Sequence, residues 1–408
     1  MLRRARTGSD GRRALLRRAR VAAPSLVAWV LLGCGAARTS QDAGSTEHDG
    51  GVPGHPGDAG QDAGWGVGLD AGGSADAAGG SADAAGDAGS TCTNRLPATS
   101  EAPATLRQTV LYRDFDQKLV AEDMRYFEPQ FELWSDGADK RRWMYLPECA
   151  PEPINNIDQS DWRFPVGTWA FKEFSMNGVL IETRLVHRFG PGADDFLFAH
   201  YLWNQAQTEA TLITEDTDPT LLRNPRGFDY TIPSPRDCGT CHGQTGGEPG
   251  GQFSRYLGFS AVQLAHSGPG VTLKALSDEG WLARLETGTY TPPGNARERA
   301  ALGYLHANCA HCHNESTEAV QFPNHPFSFA LKLSETTVWS TGTYRTAVGA
   351  EMRGFFGGCS SRVELGATED SCAYTRMRVR DGSNGQMPPL ATQRVHDEGV
   401  TLIRAWLE

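Results

Sequence analysis

The chain has 408 residues, with 38 Lys and Arg against 49 Asp and Glu, for a net charge of −11. A nucleic-acid partner calls for the opposite sign, a basic surface that neutralises phosphates, so that class of function is excluded. Hydrophobic residues make up 39%, enough to build a core over a length that predicts two or more domains.

Residues 1–33 hold eight arginines and one aspartate, and the mostly apolar run Val21 to Leu32 follows the arginines. A mostly apolar run of twelve residues is too short to span a bilayer but suits the core of a secretory signal. The run ends in Leu31-Leu32-Gly33-Cys34, which resembles a bacterial lipoprotein cleavage box, and Cys34 is the expected lipidated first residue. The plainer alternative is a signal peptide with an incidental Cys34. Residues 34–91 are Gly, Ala, Asp and Ser, with Asp-Ala-Gly recurring at 42, 58, 62, 70 and 87. Such composition has almost nothing to bury, and its net charge of −8 favours extension, so a disordered tether is expected. Removing a leader of +7 from a chain of −11 leaves −18, of which −8 belongs to the tether.

Residues 92–230 change to short apolar runs broken by turn residues. Asp161 to Lys172 carries Pro-Val-Gly-Thr turn chemistry, and Ile181 to Arg188 alternates as a half-buried strand should. Met176-Asn177-Gly178 reads as a hairpin loop between them. Phe196 to Trp203 and Ala210 to Ile213 are further strands, and the segment as a whole predicts a β domain of the sandwich kind. Glu132 to Trp143, dense in charge and tryptophan, reads as a turn at Ser135-Asp136-Gly137 entering a strand with a solvated side. His187 and His200 read as strand-face histidines.

Two cysteines three apart followed by histidine occur twice, as Cys238-Gly239-Thr240-Cys241-His242 and Cys309-Ala310-His311-Cys312-His313. Random placement of 9 Cys and 11 His in 408 residues would give roughly 0.005 such motifs. The spacing is the attachment signature of c-type haem: each thiol adds across a vinyl group and the imidazole becomes the proximal ligand. A local disulfide leaves the following histidine unexplained in both places. A zinc site would use all four cysteines and leave Met387 without a role. Met387-Pro388-Pro389-Leu390 is a stiff loop whose thioether suits the second axial position opposite His313. The expected cofactors are therefore two covalent haems c, with His242, His313 and Met387 on the metals. The sixth ligand of the first haem is open among Met352, Met377, His266, His306 and His325, or the position is vacant.

Setting aside Cys34 and the four motif cysteines leaves Cys92, Cys149, Cys359 and Cys372. In an oxidising compartment these predict two disulfides, with the short loop Cys359 to Cys372 favoured and Cys92 to Cys149 remaining. The first haem segment, 231–290, has helical spacing at Ser260 to His266 and Leu273 to Leu285. The second, 291–408, opens with a helix over Ala296 to Asn308 and closes with an amphipathic one over Val400 to Trp406, with Asp397 as a candidate N-cap. Thr375 to Arg380 alternates as a strand.

These features resemble bacterial di-haem c-type cytochromes that join an N-terminal β domain to a C-terminal class I-like cytochrome c domain. The resemblance covers residues from about 105 to 408 and rests on both CxxCH motifs, the Met387 loop and the closing helix. It implies a multidomain α+β fold, with a β-sandwich-like domain followed by mainly α-helical haem domains. It also implies an electron carrier with redox protein partners, exported and held at the outer membrane by its lipid. Two alternatives stand beside it: a di-haem peroxidase-like enzyme with an open iron site, and a β-domain binding module with a redox cytochrome attached.

Overall fold

In the computed structural model, the alternating runs near 169–188 form the centre of a six-stranded antiparallel sheet. The described residues are 94, 96, 98–159, 161–214, 220–223, 229–234, 237–242, 255–315, 327–352, 358–381 and 385–408. They all belong to the second of two compact units, Ala85–Glu408; the first is Met1–Ala84. The leader, Cys34, the tether and Cys92 lie outside the described residues.

A small ribbon of β1 (Tyr112–Asp114) and β2 (Leu119–Val120) precedes the sheet. The sheet then runs in sequence order through β3 (Arg125–Tyr126), β4 (Asp139–Tyr145), β5 (Trp169–Met176), β6 (Val179–Arg188), β7 (Phe196–Trp203) and β8 (Ala210–Leu212). A second ribbon pairs β9 (Thr220–Arg223) with β10 (Asp229–Ile232). Asn177 and Gly178 link β5 to β6 with φ of 53° and 78°. Both values lie in the left-handed region that a two-residue hairpin turn requires and that Asn-Gly tolerates.

Period-2 alternation gives the sheet two different faces. One carries Trp143, Trp169, Phe171, Leu185, Tyr201 and Trp203, covered by Leu106, Leu111, Phe115 and Met124 from the preceding chain. The other carries Met144, Phe196 and the half-buried Ala170, Val186 and Phe198, packed on Trp162, Phe164, Tyr256, Phe259 and Leu264. Burying each such large side chain is worth about 1.5–3 kcal/mol. The second face therefore meets the segment that carries the first CxxCH motif.

Seven helices are present among the described residues: α1 (Cys238–His242), α2 (Ala261–Leu264), α3 (Leu273–Asp278), α4 (Ala296–Asn308), α5 (Gly342–Thr346), α6 (Cys372–Met377) and α7 (Asp397–Leu407). Only α4, with 13 residues, and α7, with 11, exceed six. Asn295 and Glu298 form a capping box at the start of α4, satisfying otherwise orphaned amides. The stripe Ile403, Trp406 and Leu407 of α7 shares a buried cluster with Ala301, Leu302 and Leu305 of α4. Gly399 allows the approach, because a Cβ there would collide with the Tyr304 ring.

This architecture corrects the expected fold class. Among the described residues, one six-stranded sheet and two two-stranded ribbons stand where a sandwich was expected, and the region after them is not a mainly α-helical cytochrome c-type domain. Its helices are short because their helical spacing is cut by turn residues. Ser267-Gly268-Pro269-Gly270 follows α2, and Gly280 at φ 77° follows α3. Residues 347–352 and 358–372 are held by isolated bridges, Val348 to Val363, Glu351 to Ser361 and Ser361 to Ser371, and by the Cys359–Cys372 disulfide. Thr375 to Arg380, expected as a strand, is the end of α6 and a turn, since six residues of alternation do not separate strand from helix. His396, not Asp397, occupies the N-cap of α7.

Candidate functional site

The first motif is a single helical turn placed against the sheet. Before it, the Asp237 carboxylate accepts hydrogen bonds from Ser234 N (3.1 Å) and Ser234 Oγ (3.0 Å), which fixes the entry to α1. Cys238 Sγ is buried 3.3 Å from Nε2 of His200 on β7. Burial pushes the Cys238 thiol up to about 12 and the His242 imidazole down to about 4. His242 Nδ1 lies 2.6 Å from the Arg255 carbonyl oxygen. A neutral imidazole donates from Nδ1 there, which fixes the tautomer and leaves Nε2 with its lone pair for a metal.

The second motif begins at the C-terminal end of α4. Cys309 is its C-cap, and the His313 amide donates to the Cys309 carbonyl at 2.8 Å. The His313 ring stacks on Phe327, with centroids 4.6 Å apart and planes 25° apart, and meets the edge of Phe329 at 6.0 Å. Asn308 ties this end of α4 to the strip before β4: its Oδ1 accepts from Trp134 N at 2.7 Å and its Nδ2 donates to Glu132 O at 3.1 Å.

The fold brings the two motifs together. Cys241 Sγ, Cys312 Sγ and a His311 ring nitrogen lie within 4.8 Å of one another, and Cys312 Sγ donates to the Thr240 carbonyl at 3.4 Å. The hydrogen bond between the thiols lowers Cys241 and raises Cys312. Arg255 is the bridge between the motifs: its carbonyl holds His242, and its Nη2 donates to His311 O at 2.8 Å. All four motif cysteines are free thiols. A four-cysteine zinc site is not assembled, because Cys238 sits with His200 and Cys309 lies outside the three-residue cluster.

A cavity of about 140 Å³ lies between the inner sheet face, α1 and residues 388–392. Cys238, Cys241 and His242 line it, as do Phe198, Tyr256 and Cys312. The residues present fit a covalent haem here: two unbonded thiols, an oriented imidazole and an adjoining chamber with aromatic walls. A second cavity of about 110 Å³ is lined by Trp162, Phe164, His306 and His311. Leu133, Arg142, Lys172, Tyr256, Leu257 and His311 line both cavities. Cys309 and His313 line neither.

Met387 is half-buried on the loop after α6, its amide donating to Arg376 O at 3.1 Å and its carbonyl accepting from Arg380 Nη1 at 3.2 Å. The residues after it, Pro388 to Thr392, line the cavity of the first motif. Asp136 anchors this loop, its carboxylate accepting from Gln393 N (3.0 and 2.9 Å) and Arg394 N (3.0 Å). The Ser135-Asp136-Gly137 segment is therefore a turn, as expected, that also grips the methionine loop.

Among the other candidate sixth ligands, Met377 is buried in the α4–α7 cluster and His266 Nε2 lies 2.7 Å from Glu128 O. His306 lines the second cavity, with Nδ1 accepting from Leu331 N at 3.1 Å. The Met352 amide donates to Ser360 O at 2.8 Å, and His325 lies outside the described residues. Cys359 pairs with Cys372. Cys149 is disulfide-bonded as well, and its expected partner Cys92 lies outside the described residues.

Sequence reasoning did not single out Arg142, Lys172, Arg184 or Tyr256, and it set His200 aside as a strand-face residue. His200 does face off its strand, but into the first cavity. The first three and His200 occupy one transverse row, Arg142 opposite Lys172, Lys172 opposite Arg184, and Arg184 opposite His200. Alternation alone places each on the same face as Met144, Ala170, Val186 and Phe198, but only the strand register aligns them. No protein-family model matches the chain, and comparison with curated proteins and with solved structures returned no match.

Proposed function

We propose that the protein is a di-haem c-type electron-transfer protein, exported and tethered at the outer membrane through Cys34. The observation that carries this reading is the meeting of two CxxCH motifs, whose first cysteines are 71 residues apart in sequence, at Cys241, His311 and Cys312. When bound, the haems supply one-electron chemistry at iron. Cys238, Cys241 and His242 would hold one group, and Cys309, Cys312 and His313 the other, with Met387 as the candidate thioether ligand of the second. The chain's own contribution is positional. The Arg255 carbonyl orients His242, the Asn308 side chain fastens the second motif to the strip before β4, and the Arg255 side chain spans the two motifs. Such proximity favours electron exchange between the two groups and onward to protein redox partners.

The test is covalent haem content. Replacing Cys238 and Cys241 by Ala should remove one of two haems on a stained denaturing gel, and replacing Cys309 and Cys312 should remove the other. Full staining in both double variants overturns the assignment. A second reading, a haem oxidoreductase with an open iron site, draws on the cavity beside His242. Paramagnetic resonance of the ferric protein separates the two, since an open site gives a high-spin signal and a carrier with two axial ligands does not.

A further inference from the structure

The row across the inner sheet face sets three cationic side chains, Arg142, Lys172 and Arg184, directly opposite one another on neighbouring strands. Like charges in that arrangement repel, so each needs a counter-charge. Arg184 has one, because Glu182 accepts from its Nε at 2.9 Å and its Nη2 at 2.6 Å. Lys140, two residues before Arg142 on β4, pairs with Glu132 at 3.0 Å. Arg142 and Lys172 do not. Among the described residues neither head group has a hydrogen bond or ion pair, and Lys172 Nζ lies over the Phe174 ring at 4.8 Å. Arg142 is 4% exposed, and both residues line both cavities. Glu173, the nearest acid along β5, points to the opposite face, where it meets Arg141 and Tyr112. Burial, reinforced by repulsion from Arg142 and Arg184, drives the Lys172 ammonium well below its ordinary value.

We propose that Arg142 and Lys172 form a buried carboxylate-binding site in the wall shared by the two cavities. Arg142 feels the carboxylates of Glu132 and Glu128, and Lys172 that of Glu182, only at a distance, so an anion brought into the chamber supplies the direct partner that neither cation has. A planar guanidinium beside a point-charge ammonium suits a carboxylate, which takes a forked donor on one side and a single donor on the other. The surrounding aromatic walls suit an anion carried on an apolar body. Two sources share this chemistry: a propionate of a haem attached at Cys238 and Cys241, or a free carboxylate solute entering the cavity. The first source rests on the haem reading given above.

The experiment uses the full-length holoprotein beside Lys172→Met, Lys172→Arg and Arg142→Gln. Covalent haem content, midpoint potentials and the response to added acetate are measured on the same samples. With a propionate in the site, Lys172→Met leaves a carboxylate unbalanced near one iron and favours its ferric form. The oxidised-to-reduced ratio of one haem should then rise by about tenfold at fixed ambient potential, equivalent to a fall of about 59 mV for a one-electron couple. Lys172→Arg should restore the wild-type value, Arg142→Gln should shift the same haem in the same direction, and acetate should have no effect. With a free carboxylate in the site, acetate should give a saturable rise in thermal stability of the wild type that is absent in Lys172→Met and Arg142→Gln. Unchanged potentials together with no acetate response in folded variants overturn the site. Absence of haem at Cys238 and Cys241 in the wild type would instead defeat the haem reading, and the acetate arm still decides the site.

Discussion

Cys241 of the first motif and Cys312 of the second lie with their Sγ atoms within 4.8 Å of each other, although 71 residues separate them in the chain. Cys238, the partner of Cys241 within its own motif, is turned instead toward His200. The geometry therefore sets a preference among the thiols before any haem is attached. In haem-free protein, mild oxidation should join Cys241 to Cys312 ahead of either within-motif pair. Non-reducing peptide mass spectrometry reads this directly, and a dominant Cys238–Cys241 or Cys309–Cys312 crosslink contradicts it.

The Asp136 carboxylate is 1% exposed and accepts three contacts from two amides of the loop after Met387. Burial raises its pKa, and the amides oppose that. Removing the acceptor strands two inward-facing donors, at about 1–3 kcal/mol. Asp136→Ala should lower the denaturant midpoint accordingly and make residues 385–395 the first site of limited proteolysis. Unchanged cleavage in that stretch would show that the loop is held by other contacts.

His187 supplies a pH dependence away from both motifs. It is fully buried and stacked on Trp169, with centroids 3.9 Å apart. Its Nδ1 faces Thr168 O at 3.1 Å while its Nε2 accepts from Thr99 N at 3.3 Å. The neutral ring satisfies both contacts and the cation does not; burial pushes the pKa down to about 4 from an ordinary 6.5. Because the folded value lies below the unfolded one, the unfolded chain takes up the proton first as pH falls. Stability from this group is complete above pH 6.5 and declines through that window to pH 4, by about 3 kcal/mol at 1.36 kcal/mol per unit. His187→Gln should be less stable than wild type at pH 7 but lose less on acidification to pH 4.5. Parallel losses in the two proteins, measured by urea unfolding, would sink the assignment.

Much of this was legible from local pattern. The Asn177-Gly178 hairpin, strands β6 and β7, helix α4 and the Cys359–Cys372 bridge follow from alternation, turn chemistry, helical spacing and loop length. What was not legible depends on long-range register. Arg142, Lys172, Arg184 and His200 come from four different strands, and nothing in their local sequences says that they align. The sheet count failed for a similar reason. A strand whose two faces are both buried looks the same whether a second sheet or other chain covers it, and here Leu106, Leu111, Phe115 and Met124 cover one face and Trp162, Phe164, Tyr256, Phe259 and Leu264 the other. The helical expectation overran at Leu273 to Leu285, where apolar spacing continued past Gly280, just beyond the end of α3.

The choice between Met387 and Met377 as thioether ligand now has a packing argument as well. Met377 is 6% exposed at the end of α6, in the cluster that includes Tyr374, Ile403 and Trp406, so its sulfur fills core space between helices. Met387 is half-buried on a loop whose next residues line the first cavity, and Asp136 holds that loop from behind. Met377→Leu is a volume-conserving core exchange expected to cost under about 1.5 kcal/mol and to leave both midpoint potentials in place. Met387→His replaces a soft thioether by an imidazole, which favours ferric iron and lowers the potential of the haem it serves. It should also abolish the weak near-infrared sulfur-to-iron charge-transfer band. Repeating the spectrum in the Cys238→Ala, Cys241→Ala variant identifies that haem. A band that persists there assigns Met387 to the iron of His313, and a band that disappears assigns it to the iron of His242. Loss of the band in Met377→Leu, with the band intact in Met387→Leu, would name Met377 as the ligand instead.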